Sequence, residues 1–162
     1  MIILKKITKR VLGIDYGIAR IGLAISDETQ TIATPLQTVQ TEKNSDQAIK
    51  KLLECILQVQ KDYSCEIVEI VIGFPLMMSG KIGLVADAVN IFVEKLSEKT
   101  QIPIKKWDER LTTVQAERSL RESEMSRKKR SKVVDIVSAA IILQSYLDHI
   151  KLKNDFIENQ FI

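Results

Sequence analysis

Residues 67–73 read Ile-Val-Glu-Ile-Val-Ile-Gly and run into Phe74-Pro75. So dense a β-branched stretch, closed by glycine and proline, describes a strand buried on both faces that stops at a loop. Both faces of such a strand must be covered, which restricts the chain to architectures with helices layered on a sheet. The flanking sequence supplies helices. Ile49, Leu52, Leu53, Ile56 and Leu57 mark one face of a helix that starts at Ser45 as N-cap and runs to about Tyr63. A second extends from about Leu84 to Glu98.

The first forty residues follow the shorter period. Val11 to Asp15, Ile21 to Ser26 and a run near Ile32 to Val39 read as strands, and Gly17 and Gly22 bracket a tight connection. Links this short make an antiparallel meander. Beyond the second helix, Ile102 to Trp107 is a short strand, and Thr112-Thr113-Val114-Gln115 fits a capping box that opens a helix to about Glu122. Met125 to Lys132 interrupts the pattern as a loop. Val133 to Ile150 is a last helix, apolar on nearly all sides and expected to be buried, and Lys151 to Ile162 is a polar tail. The order predicts an α/β domain over residues 1–150: a mixed sheet whose later strands are parallel, with ligands favoured at the strands' C-terminal ends.

With 162 residues the chain hides about two-thirds of its unfolded surface, enough for a core without disulfides or a structural metal. Cys55 and Cys65 match no zinc or CxxC spacing. Met1 to Arg10 is too short and too basic for a signal sequence, and Val133 to Leu147 is broken by Asp135, Ser138 and Gln144. A cytoplasmic protein with no membrane role is expected. Lys and Arg exceed Asp and Glu by 24 to 21, so the position of charge must decide whether the partner is a nucleic acid. Aromatic residues at 5% are too few for a single-strand binder built on stacking platforms.

At three places acids stand where a carboxylate is expensive. Asp15 closes an apolar strand in Gly13-Ile14-Asp15-Tyr16-Gly17, where it either closes the turn by side-chain hydrogen bonds or serves a ligand. The flanking glycines leave room for a phosphate or metal to approach the backbone. Asp108 and Glu109 end another strand, where either both are solvated charges favoured by the dipole of the following helix or alternation sends them to opposite sides and one of them faces the site. Asp135 lies early in the apolar last helix, with Ser138 and Ala139 sharing its face and allowing close packing on a strand. Gathered at two strand ends and a helix start, these acids form a cluster of hard oxygen ligands suited to Mg2+ or Mn2+. Two such ions about 3.5–4 Å apart activate water and stabilise the leaving oxygen in phosphodiester cleavage. Arg127, Lys128, Lys129, Arg130 and Lys132 directly precede Asp135 and either form an ordinary solvated loop or, beside a metal site, lead a polyphosphate backbone toward the acids. Lys5, Lys6, Lys9 and Arg10 read as a solubilising arm, Gly73-Phe74-Pro75-Leu76 with Gly80 as turn chemistry, and His149 as a surface or core residue.

Gly13-Ile14-Asp15-Tyr16-Gly17 with Arg20-Ile21-Gly22-Leu23-Ala24, Gly73-Phe74-Pro75-Leu76, Asp108-Glu109-Arg110-Leu111-Thr112-Thr113, and Val134-Asp135 with Ala139-Ala140 together closely resemble the YqgF (RuvX) family, from about Val11 to Asp148. The resemblance implies a ribonuclease H-like fold: a five-stranded mixed sheet, its first three strands antiparallel, flanked by helices. It also implies a divalent-metal-dependent nuclease that matures the 5′ end of pre-16S ribosomal RNA, or one that resolves Holliday junctions. Partners would then be precursor rRNA or branched DNA and the ribosome, and the protein a monomer or weak homodimer.

Carried over by position, Asp15 is the family's first-strand acid, Asp108 and Glu109 its fifth-strand pair and Asp135 its final-helix acid. Of the pair, the longer Glu109 is the expected ligand. Arg20, Arg110 and Thr112 resemble residues that contact phosphate or pair with the acids. One departure bears on substrate choice: where many members continue Gly-Leu-Pro-Leu-Asn-Met-Asp-Gly, this chain has Phe74 and then Met77-Met78-Ser79-Gly80.

Two other classes compete. Gly-Ile-Asp-Tyr-Gly also resembles the first phosphate loop of actin, hexokinase and Hsp70, but those proteins enclose nucleotide between two such domains and 162 residues hold one. A non-catalytic RNA-binding assembly factor would bind in a salt-dependent way without magnesium.

Overall fold

The computed structural model describes residues 7–41, 45–76, 83–109 and 127–160, with side chains in the last stretch from 136 to 157. Among the described residues, β1 (Thr8–Tyr16), β2 (Arg20–Ser26), β3 (Ala33–Gln40), β4 (Cys65–Phe74) and β5 (Ile104–Asp108) form one sheet in the order β3-β2-β1-β4-β5. The first three strands are antiparallel neighbours; β4 joins β1, and β5 joins β4, in parallel. The helices are α1 (Ser45–Asp62), α2 (Leu84–Ser97) and α3 (Arg127–Gln160). The expected five-stranded mixed sheet is the one found.

Strand alternation divides the core into two layers. Leu12 and Ile14 of β1 and Ile70 and Ile72 of β4 point to one side, where they pack with Ile49, Leu52 and Ile56 of α1 and Val89, Phe92 and Leu96 of α2. Val11 and Val71 point to the other and meet Ala139, Leu143 and Tyr146 of α3. Burying each such side chain contributes about 1.5–3 kcal/mol before entropy is counted, which is why the two central strands are apolar on both faces. Val11 lies just beyond the last β1–β2 pair, Leu12↔Ile25, and its N–H is accepted by the buried Ser26 hydroxyl at 2.9 Å.

Side-chain contacts fix the direction of α3. Tyr146 reaches Glu69, which pairs with Val11, whereas Ile142 lies beside Gly73 four residues further along β4. The helix therefore runs opposite to β1 and β4, with its N-terminal part toward their C-terminal ends.

Several details differ from the sequence reading. Leu57, assigned to the inner face of α1, is exposed, and Ala48 and Val59 complete that face instead. Ser45 is the first residue of α1, and its hydroxyl accepts a hydrogen bond from Lys95 of α2 at 2.5 Å. The basic run from Arg127 to Lys132, read as a loop, forms the opening turns of α3, and the polar tail from Lys151 continues that helix to Gln160. No glycine or proline interrupts residues 127–160, and Lys and Arg are good helix formers. Apolar periodicity, which bounds this helix in the sequence, fades at both ends before the backbone preference does. Nor is α3 buried all round: Ala139, Ile142, Leu143, Tyr146 and Leu147 are buried, while Asp148, His149 and residues 151–157 are exposed. The helix expected at 112–122 lies outside the described residues, as do Lys5, Lys6 and the 77–80 segment. No described helix is long and apolar enough to cross a membrane.

Candidate active site

The C-terminal ends of β1, β4 and β5 lie side by side, because β1 and β4 pair in parallel through Ile14↔Ile72 and β4 and β5 through Phe74↔Asp108. Asp15 is the next-to-last residue of β1 and pairs with Gly22 of β2. It shares the α3 face with Val11 and Gly13. Arg20, two residues from Gly22 along β2, falls on that same face, since Ile21 points into the other layer. The backbone closes the hairpin between them: Gly17 N–H donates to the Arg20 carbonyl at 2.9 Å.

On β5 the alternation is read from Trp107. Its ring packs in the α3 layer, edge-on to Tyr146 with centroids 5.3 Å apart, and its Nε1 donates to Ser145 Oγ at 3.1 Å. Asp108 is therefore directed to the α1/α2 side, and Glu109, one residue past the strand, returns to the α3 side. There its carboxyl group lies across the α-carbon of Gly73. A methyl group at Gly73 would overlap Glu109 Oε1 outright and stand 2.6 Å from Ile142 Cδ1.

Burial first, then the charges of Asp15 and Asp108, push the Glu109 carboxyl up to about 7. Two unlike elements, a strand end from the first third of the chain and a strand end from the last, thus bring acids into one electrostatic neighbourhood. Like charges crowded in a half-buried place are stabilised by a proton or a cation. Among the described residues no three metal-ligating side chains converge on one point. The backbone puts residue 135 one helical turn before Ala139, toward the C-terminal end of β1; its side chain lies outside the described set, as do those of Arg110, Thr112, Arg127, Lys128, Lys129, Arg130 and Lys132.

The two glycines around Asp15 are employed in packing and turning. A methyl group at Gly13 would meet Leu143 Cβ at 2.7 Å and the Ala139 carbonyl at 3.0 Å, and one at Gly17 would meet the Arg20 carbonyl at 2.6 Å. The space expected for an approaching phosphate at Gly13 is filled by α3, with Ala139 as the small residue that permits the approach. His149 is exposed and stacks near Trp107, centroids 5.1 Å apart, at the C-terminal part of α3 away from the acids.

Sequence reasoning missed Gly73 and Trp107. Gly73 was absorbed into the turn signal Gly-Phe-Pro, yet it sits in a regular ladder position opposite Trp107. The available signal was energetic: a glycine inside a β-branched strand weakens it and needs a reason of its own.

A family model described as RuvX, Holliday junction resolvase, matches residues 9–149. A "Putative pre-16S rRNA nuclease" of Protochlamydia amoebophila is 67% identical over 139 residues, which cover 86% of this chain and 93% of that protein. Its counterpart in Caldanaerobacter subterraneus subsp. tengcongensis is 49% identical over 140 residues, 86% and 96% of the two chains. Among solved structures, Thermus thermophilus RuvC in complex with a Holliday junction substrate superposes with a TM-score of 0.50 at 14% identity, over 88% of this chain and 96% of that one. The yeast mitochondrial Holliday junction resolvase Ydc2 gives 0.51 at 16% identity, over 96% and 85%. These likenesses carry the fold, which is ribonuclease H-like.

Proposed function

The chain belongs to the RuvX family, and from that premise we propose that it is a divalent-metal-dependent nuclease acting in maturation of the 5′ end of pre-16S rRNA. Asp15, Glu109 and Asp135 are the catalytic acids and would hold Mg2+ or Mn2+, with Asp108 contributing charge from the neighbouring position. The observation that carries this reading is the Glu109 carboxyl group, seated on Gly73 and raised to about 7 by burial and by Asp15 and Asp108. An oxygen-donor set under such mutual repulsion fits a hard divalent cation, which relieves it.

When bound, the ions supply Lewis-acid activation of water and of the phosphoryl group. The chain's own residues determine where that happens. Hydrolysis breaks one phosphorus–oxygen ester bond, giving the hydroxyl of water to phosphorus and a proton to the departing oxygen. Asp15 of β1 and Glu109, just past β5, share the α3 face; the Trp107–Ser145 hydrogen bond ties β5 to α3 and fixes the height at which Glu109 leaves the strand. Arg20 stands on that face as a cation for phosphate or for an acid. Arg110, Thr112 and the cations at 127–132 guide the nucleic-acid backbone. The choice of ribosomal RNA is supported by relatives of that name, one of them 67% identical.

The test is cleavage of precursor 16S rRNA and of a four-way DNA junction by the purified protein, with Mg2+, with Mn2+ and with chelator, for the parent and for Asp15→Asn. Metal-dependent trimming of the RNA that Asp15→Asn loses supports the reading. Cutting by Asp15→Asn at the parental rate would show the chemistry to be misassigned, and symmetric junction cleavage without RNA trimming would make DNA the substrate. Such symmetric cleavage requires two active sites, so the oligomeric state belongs in the same experiment.

A further inference from the structure

We infer that Gly73 is a positioning residue for Glu109: by having no side chain, it opens the seat on β4 into which an acid from β5 folds. The inference rests on the reading of Glu109 as a metal ligand. Its ground is geometric. Gly73 lies within β4, paired with Trp107 in regular parallel register, and its φ is outside the left-handed region. Neither a turn nor an unusual backbone conformation therefore calls for glycine at this place. The nearest atoms to an added β-carbon are Glu109 Oε1, Ile142 Cδ1 at 2.6 Å and Glu109 Cδ at 3.0 Å. The backbone ladder runs on past this point, so what the missing side chain accommodates is the carboxylate and the tip of Ile142.

Glu109 lies one residue beyond the last residue of β5, which is an edge strand. Seating the carboxyl group against the β4 backbone limits where it can go and brings it toward Asp15 on the neighbouring strand. Any side chain at position 73 must push the carboxyl group off that seat. Because the clashing atoms are ends of flexible side chains, Gly73→Ala is accommodated by moving them, and the protein folds. Misplacing a reacting or ligating group by about 1 Å can cost on the order of 100-fold in rate.

The test is a double-mutant cycle read by Mn2+ affinity, measured by calorimetry without nucleic acid, alongside cleavage kinetics. Parent, Gly73→Ala, Glu109→Ala and the double variant are compared, with Asp15→Asn and Gly73→Ala/Ile142→Val as companions. Gly73→Ala is expected to lose about 10-fold or more in Mn2+ affinity and to lower kcat with KM for nucleic acid unchanged. Its effect should vanish in the Glu109→Ala background, and trimming Ile142 should not restore binding. Parental Mn2+ affinity in Gly73→Ala, independent effects in the double variant, or full recovery on trimming Ile142 would each overturn the inference. If the parent itself binds no Mn2+, or Asp15→Asn binds it as well as the parent, the metal reading fails and this inference falls with it. Parental metal binding that Asp15→Asn loses but Gly73→Ala keeps would defeat the Gly73 inference alone.

Discussion

Gly13 of β1 and Leu143 of α3 meet so closely that only a hydrogen fits between them: a methyl group on Gly13 would stand 2.7 Å from Leu143 Cβ and 3.0 Å from the Ala139 carbonyl oxygen. Unlike the atoms around Gly73, these belong to or adjoin helix backbone and cannot swing aside. Gly13→Ala should destabilise the protein by about 1–3 kcal/mol, the usual cost of overpacking. It should also lower activity at temperatures where the variant is still folded, because α3 carries Asp135. Urea denaturation and a cleavage assay measure both. A variant as stable as the parent would mean that the helix is not held at this distance.

Glu109 makes the metal-free protein sensitive to alkali. Its carboxyl group is raised from 4.5 to about 7 in the folded state, by burial and then by Asp15 and Asp108, so the folded state holds its proton more tightly than the unfolded chain does. The stability this confers is complete below about pH 4.5 and is lost as the pH rises through about 7. Glu109→Gln removes the titration. In chelator it should match the parent near pH 4.5 and exceed it at pH 8 by about 1–2 kcal/mol, a figure reduced for partial solvent screening. Thermal melts at the two pH values decide it. Equal melting at pH 8 would indicate that neither burial nor the neighbouring carboxylates disfavour the ionised Glu109 in the folded state.

What the sequence disclosed follows from which signals are local. The meander, the buried β4 run and most of the inner face of α1 rest on periods of two and 3.6, each legible within a dozen residues. The ends of α3 are not legible in the apolar pattern because its basic beginning and polar end carry no apolar period, although nothing in Arg127 to Gln160 breaks a helix. Asp15 and Glu109 were selected individually as acids at strand ends, and their proximity follows from sheet order. Gly73 could not be assigned its part, since a clash between position 73 and position 109 exists only once β4 and β5 are paired.

The cations at 127–132 should act on binding rather than on chemistry. They occupy the first turns of α3, ahead of position 135, where a polyanion led toward the acids would pass on the proposed reading. Replacing Lys128, Lys129 and Arg130 with Gln removes three charges. For a single-stranded RNA, the slope of log affinity against log salt should become shallower by about 2, at roughly 0.7 for each phosphate that these cations neutralise. The cleavage rate at saturating substrate should stay near the parental value. Filter binding across a salt series, with single-turnover kinetics at saturation, separates the two. An unchanged slope would assign this run to the solvated surface.

Tyr146 fastens the opposite end of the sheet. Its hydroxyl donates to Glu69 Oε1 at 2.5 Å, and its ring meets Trp107 edge-on, so one side chain connects α3 to β4 and β5 together. Burial, then the hydrogen bond to Glu69 and its charge, raise the phenol well above its ordinary range, so it remains a donor at every working pH. Tyr146→Phe keeps the ring and removes the donor, leaving the Glu69 carboxylate without the strong hydrogen bond that compensates its desolvation. The cost should be about 1.5–3 kcal/mol, the range for hydrogen bonds to charged groups. Because Glu69 lies four residues before Gly73 on β4, cleavage at 25 °C should be nearly unaffected while the melting temperature falls. Tyr146→Leu should cost more, since it also forfeits the aromatic contact with Trp107. Parental stability in Tyr146→Phe would show that water replaces the phenol at no cost.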